Sequence, residues 1–143
     1  ELGVPLMIIF NKSFISQWVS RRIPGDDEFP LNTANVGLIK NGKLVAGVVY
    51  TMDMGNGCMM SVASDGSRAW LNKEFLRAAF WYPFVKMGYT RVTGLVRTDN
   101  IDAQRFDEHL GFKREGLLRK GDDDGTDLII YGMLKEECRW IHI

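Results

Sequence analysis

The stretch Thr90–Gly116, TRVTGLVRTDNIDAQRFDEHLGFKREG, decides how the rest of the chain is read. From Thr90 to Val96, Val92, Gly94 and Val96 alternate with Thr93 and Leu95, and this period of two predicts a strand. Thr98, Asp99 and Asn100 bond readily to nearby backbone, so they predict a turn and a helix N-cap. A helix fits Ile101 to Leu110. Gly111 stands where a left-handed C-terminal cap is wanted, and Phe112 opens the next extended segment.

Upstream, Asn72 to Met87 reads as a helix with Phe75, Leu76, Ala79, Phe80 and Phe84 on its inner side and Asn72 as its N-cap. Pro83 lies inside it and predicts a kink or break near Ala79 to Tyr82. Before it, Val36–Lys40 and Leu44–Met52 are strand-like and joined by Asn41-Gly42, the strongest two-residue hairpin signal. Cys58–Ala63 adds a third antiparallel strand. Leu6–Phe10 reads as a short strand or the lead-in to a helix. Ser13–Arg22 reads as an amphipathic helix on Phe14, Ile15, Trp18 and Val19, with Arg21 and Arg22 in its last turn and Pro24-Gly25 ending it. Asp26–Asn35 is a loop. Downstream, Lys113–Lys120 is extended, Gly121–Gly125 is an acidic turn, and Asp127–Leu134 is a final strand. The expected architecture is one α+β domain over residues 1–143, with a mixed, mostly antiparallel central sheet flanked by helices on both faces.

The bulk numbers exclude several classes. The 18 basic and 18 acidic side chains cancel, which argues against broad nucleic-acid binding by phosphate neutralisation. Cys58 and Cys138 make no disulfide framework and read as reduced, buried side chains. The early apolar run Val4–Phe10 is too short to span a membrane and lacks the pattern of a signal peptide, so a cytoplasmic protein without membrane partners is expected. The apolar end Trp140, Ile141 and Ile143 packs either on its own core or on a second copy, as a homodimer.

The common catalytic sets are missing. There is no GxGxxG or Walker pattern and no serine on a Gly-flanked turn. Asp122, Asp123 and Asp124 read as a solvated turn. What the residues do offer is backbone: the strand Cys58–Ala63, the loop Ser64–Leu71 and a helix start at Asn72 would present free N–H groups to an anion, with Arg68 and Lys73 adding charge. A phosphate or pyrophosphate suits that arrangement; an ordinary strand-to-helix connection is the alternative.

In register from Ser61 to Phe112, the chain resembles the GNAT superfamily of N-acetyltransferases. Arg68 takes the first position of that family's pyrophosphate loop, Q/R-x-x-G-x-G/A. A long helix, a strand and Asn100 follow, and Leu110-Gly111-Phe112 closes the next helix. FKREGLLR and DLIIYGMLKEECRW resemble the closing strands of a subgroup common in phage and prophage genomes. The resemblance implies transfer of an acetyl group from acetyl-CoA to the amine of a small molecule or peptide. It implies that Ser61, Val62 and Ala63 lend backbone groups to the cofactor arm. Arg68, Ala69, Trp70, Leu71, Asn72 and Lys73 would hold the pyrophosphate, and Asn100 would bond the arm near its middle.

The sequence departs from the family in three respects. Leu71 and Lys73 stand where the loop glycines would be. Asp107 occupies the position of a Tyr that protonates the leaving thiolate, and Leu95 that of a Glu base. Tyr131, Asp53, Asp107 and His109 are the candidate substitutes, with Tyr131 and Asp107 carried forward as catalytic candidates. The four tryptophans read as core or groove-lining. The alternative to an enzyme is a degenerate relative that binds CoA or a protein without turnover.

Overall fold

The computed structural model describes residues 6–23, 28–68 and 70–141. Its strands are β1 Leu6–Phe10, β2 Asn35–Lys40, β3 Lys43–Thr51, β4 Gly57–Ser64, β5 Arg91–Arg97, β6 Lys113–Leu118 and β7 Leu128–Leu134. They form one sheet in the order β1-β2-β3-β4-β5-β7-β6. Every neighbouring pair is antiparallel except β4 with β5. The α-helices are α1 Ser13–Ser20, α2 Lys73–Trp81 and α3 Ile101–Leu110. The mixed, mostly antiparallel sheet with helices on both faces is the expected one.

Leu6–Phe10 is a strand and not a helix lead-in, because it pairs along its whole length with β2. Helix α1 ends sooner than expected. Arg22 N–H turns back to Val19 O in a three-residue step, so Arg21 and Arg22 lie past the last turn. Pro24 and Gly25 lie outside the described residues. The seat of α1 is a pair of glycines in register, Gly37 opposite Gly47. A Cβ on Gly47 would fall 2.7 Å from Val19 Cγ2, so only glycine lets Ile15 and Val19 reach the sheet and become fully buried.

The other face carries α2, with Phe75, Leu76, Ala79 and Phe80 buried. Each large apolar side chain buried this way contributes about 1.5–3 kcal/mol. Pro83 breaks the α-helix where expected, and the chain continues as a π-helix over Tyr82–Lys86. Pro83 has no N–H to offer the carbonyl of Ala79, and the Tyr50 hydroxyl donates to that oxygen instead. Trp81 is an exception to the expected burial of the tryptophans. It is 44% exposed, on the outward side of α2.

Helix α3 ends in a Schellman motif. Phe112 N–H bonds Asp107 O at 3.0 Å and Gly111 N–H bonds Glu108 O at 3.2 Å, with Gly111 at φ 112°. Trp140 Nε1–H takes Leu110 O at 2.9 Å, and Trp140 is buried on the core of its own chain. Ile141 packs there too. Both cysteines are free and buried.

Candidate functional site

Strands β4 and β5 pair only from Gly57↔Arg91 to Met59↔Thr93, yet they run on to Ser64 and Arg97. Each keeps its outer partner to the end, β4 with β3 and β5 with β7, and loses its inner one. Beyond Met59 and Thr93 the sheet is therefore split. The split exposes definite backbone groups. Asp65 N–H bonds Val45 O, and Thr98 N–H bonds Asp127 O. Counting back by twos along those ladders, the N–H and C=O of Met60, Val62 and Ser64 point away from β3, and those of Leu95 and Arg97 point away from β7. Met60 N–H still closes the last rung of the ladder on Thr93 O, and Arg97 O accepts Asn100 N–H and Gln104 Nε2–H; the groups of Val62, Ser64 and Leu95, with Met60 O and Arg97 N–H, line the split and have no strand partner. Of the three β4 residues expected to lend backbone, Val62 faces the split, while Ser61 and Ala63 turn their backbone to β3; all three line the cleft.

The cleft has a volume of about 480 Å³. Its walls are Met59–Ser64, Gly94–Arg97, one side of α3 with Asn100, Ala103, Phe106 and Asp107, and the α1 exit at Arg22 and Ile23. Asn100 caps α3 through Oδ1, which accepts Ala103 N–H at 3.1 Å. Its side-chain NH₂ makes no hydrogen bond among the described residues and is free to donate into the cleft.

Asp107 also lines the cleft. A Cβ built on Gly94 would lie 3.5 Å from Asp107 Oδ2 and 3.8 Å from Met60 O, so this carboxyl sits over the glycine beside the split. Burial, aided by the charge of Glu108, pushes its pKa up to about 7. The carboxyl has no hydrogen-bond partner among the described residues. The Schellman bonds to the Asp107 carbonyl fix the backbone from which it projects.

Tyr131 stands elsewhere. It lies opposite Gly94 in the sheet but is fully buried, and it does not line the cleft. Its hydroxyl donates to Glu108 Oε2 at 2.6 Å, and burial together with that bond raises its pKa. His109 does not line the cleft, and Asp53 lines a separate cavity. Leu95 is in the cleft wall and 41% exposed.

The loop before α2 is outside the cleft walls: neither Arg68 nor residues 70–73 line it. Ala69 lies outside the described residues. Asn72 caps α2, its Oδ1 accepting Phe75 N–H at 2.9 Å. Leu76 N–H bonds Asn72 O, which leaves the N–H groups of Lys73 and Glu74 free at the helix start. Leu71 N–H is consumed by Arg68 O at 3.0 Å. The side chains of Arg68, Leu71 and Lys73 are exposed, and Arg68 forms no salt bridge among the described residues. Trp70 is turned inward, its ring centroid 3.9 Å from that of Phe106 on α3. This contact ties the loop to the cleft wall.

The acidic turn is not simply solvated. Arg97, at the end of β5, bonds Asp99, Asp122 and Asp124 at 2.7–3.0 Å. Bonds from Thr126, and then Arg97, hold Asp124 down to about 2. No group of residues that would hold a metal occurs among the described residues. Sequence reasoning missed Gly94, Arg97 and Phe106. Gly94 left a signal: a glycine inside a strand marks a close approach.

No family model matches the chain, and comparison with curated proteins finds no match by sequence. Solved structures do match. A GNAT-family acetyltransferase from Streptococcus pneumoniae is 19% identical, with 91% of this chain and 99% of that one covered and a TM-score of 0.69. A spermidine N-acetyltransferase variant from Vibrio cholerae is 12% identical, with 92% and 94% covered and a TM-score of 0.71. Against a solved structure described as a probable acetyltransferase, 23% identical with a TM-score of 0.63, the match takes in 75% of this chain and spans 64% of that one. The chain thus has the fold of the GNAT acyl-CoA N-acyltransferases. No helix among the described residues is long and apolar enough to cross a membrane.

Proposed function

We propose that this protein is an N-acetyltransferase that moves an acetyl group from acetyl-CoA to the amine of a small molecule or peptide. The observation that carries this reading is the split between β4 and β5. It sets unpaired backbone groups along a cleft that also receives Asn100 and Asp107. Acetyl-CoA brings an activated thioester, and the residues fit its parts. Val62 and Ser64 offer N–H and C=O to the amide-containing arm, and Asn100 offers its free NH₂. The free N–H groups of Lys73 and Glu74, with the cations of Arg68 and Lys73, suit the pyrophosphate.

In this reading the amine nitrogen forms a bond to the thioester carbonyl carbon, and the carbon–sulfur bond breaks. A cleft-facing β4 N–H polarises the carbonyl oxygen. Asp107, raised to about 7, is protonated in about half of the molecules at neutral pH, and in that form gives its proton to the departing sulfur. The amine releases its proton to water, and Asp107 regains one from water. Holding the two reactants together in the cleft supplies much of the acceleration.

The test has two readouts. Acetyl-CoA titration is expected to raise the melting temperature, and incubation with a panel of amines and peptides is expected to release free thiol. No thermal shift at saturating acetyl-CoA sinks the cofactor assignment. A thermal shift without thiol release from any acceptor sinks the transferase assignment.

A further inference from the structure

A second cavity, of about 340 Å³, lies beyond the end of β3. Tyr50, Tyr82, Tyr89, Cys58, Met87 and Asp53 are in its walls. Thr51 and Met52 line both cavities, so the end of β3 is the partition between them. The transfer chemistry described above uses none of these groups.

The wall is a built one. The Pro83 break turns the helix into its π-helical segment at Tyr82, and Tyr50 is anchored by its bond to Ala79 O. The two rings lie with centroids 4.6 Å apart. The Tyr82 hydroxyl makes no hydrogen bond among the described residues, so it is available.

The charge of the cavity is one-sided. Asp53 joins no salt bridge among the described residues. Its Oδ1 accepts Gly55 N–H at 2.8 Å, and it shares the cavity wall with Tyr89. Burial first, and Asp53 after it, push the Cys58 thiol up to about 12 and raise Tyr89, while Tyr82 is raised by burial, then by Cys58 and then by Asp53. Lys86 brings its ammonium within 5.9 Å of the Tyr82 ring centroid but does not pair with Asp53. An aromatic, thioether-edged cavity with one uncompensated carboxylate favours a cation clothed in CH groups. A bare metal ion would want further carboxylates or imidazoles, and no such group of ligands occurs among the described residues.

We propose that this tyrosine-walled cavity binds an alkylammonium group, with Asp53 as its counter-ion and the tyrosine rings as its apolar walls. The group is either a free small molecule or the far, cationic end of an acceptor whose reacting amine lies across the Thr51–Met52 partition. The recognition chemistry is the same in both cases.

Calorimetric titration of the intact protein tests this without reference to turnover. The probes are tetramethylammonium chloride, which cannot be acetylated, and neutral tert-butanol of similar shape, at constant ionic strength. Saturable binding of the ammonium is expected, with the alcohol at least about tenfold weaker. Asp53→Asn keeps a side-chain acceptor for Gly55 N–H and is expected to weaken the ammonium about fivefold at unchanged melting temperature. Equal binding of the two probes, no binding by the native protein, or an unchanged affinity in the variant each overturns the proposal. A second arm separates the sources. If 1,4-diaminobutane is acetylated with a lower KM than butylamine and loses that advantage in the variant, the cation is the acceptor's far end. If the two KM values match while tetramethylammonium still binds, it is a separate ligand.

Discussion

Helices α2 and α3 start the same way and end up in different positions relative to the cleft. Asn72 and Asn100 both sit in non-helical backbone, at φ −94° and −99°, and both accept the N–H three residues on. Locally the two caps are interchangeable, and each is worth about 1 kcal/mol to its helix. Only Asn100 lines the cleft. It follows β5 directly, at the rim of the split, whereas Asn72 follows a loop that leaves β4 behind. Capping chemistry is local, but membership of the site depends on where the sheet opens.

The sharpest way to break this contrast is on α3. Asp107→Asn is expected to lower kcat about 100-fold, within the range for loss of a positioned acid. It should also remove the fall in kcat expected of the native protein as pH rises through about 7. A pH–rate profile that keeps that limb in the variant would assign the proton to another group.

The same substitution has a stability signature. Asp107 titrates near 4 when unfolded and at about 7 in the fold, so the folded state holds the proton more tightly. Its contribution is therefore intact below about pH 4 and declines as pH rises towards about 7. Three units correspond to about 4 kcal/mol in full, and access to the cleft reduces this to about 2 kcal/mol. Urea melts of the native protein and of Asp107→Asn, run side by side, should show the variant gaining on the native protein by that amount between about pH 4 and pH 8.

Next comes the matched pair. Asn72→Ala and Asn100→Ala should each cost about 1 kcal/mol of stability. Only Asn100→Ala should also weaken acetyl-CoA, by about fivefold, for loss of one hydrogen bond. Equal effects on acetyl-CoA would dissolve the distinction between the two helices. The smallest effect is expected in the loop itself. Leu71→Gly removes a side chain beside the free N–H groups of α2 and should tighten acetyl-CoA about twofold, measured by the same titration.

Much of the fold was legible because its signals are local. Asn41-Gly42 forces a tight turn, and both φ values are positive there. Pro83 cannot complete an α-turn, and the helix changes form at Tyr82. Asn100 and Gly111 bracket α3 at both ends. The end of α1 was less legible, because the turn back to Val19 precedes the proline that was to stop it. The acidic turn was misjudged for a different reason: its partner, Arg97, is 25 residues away from Asp122 in sequence.

By itself, then, the sequence determined the elements from β2 onward, the caps of α2 and α3 and the order of the elements, since turn chemistry and period act over a few residues. The tertiary structure decided where β4 and β5 part and which of their backbone groups are left free. It decided that Asp107 sits half-buried over Gly94 with its pKa raised, while Tyr131 is bound to Glu108 away from the cleft. It also brought Asp53 among three tyrosines drawn from β3, the π-helix and the turn before β5. Those are relations between residues far apart in the chain. Solvent exclusion and charge proximity set them, and neither exists until the sheet and helices have packed.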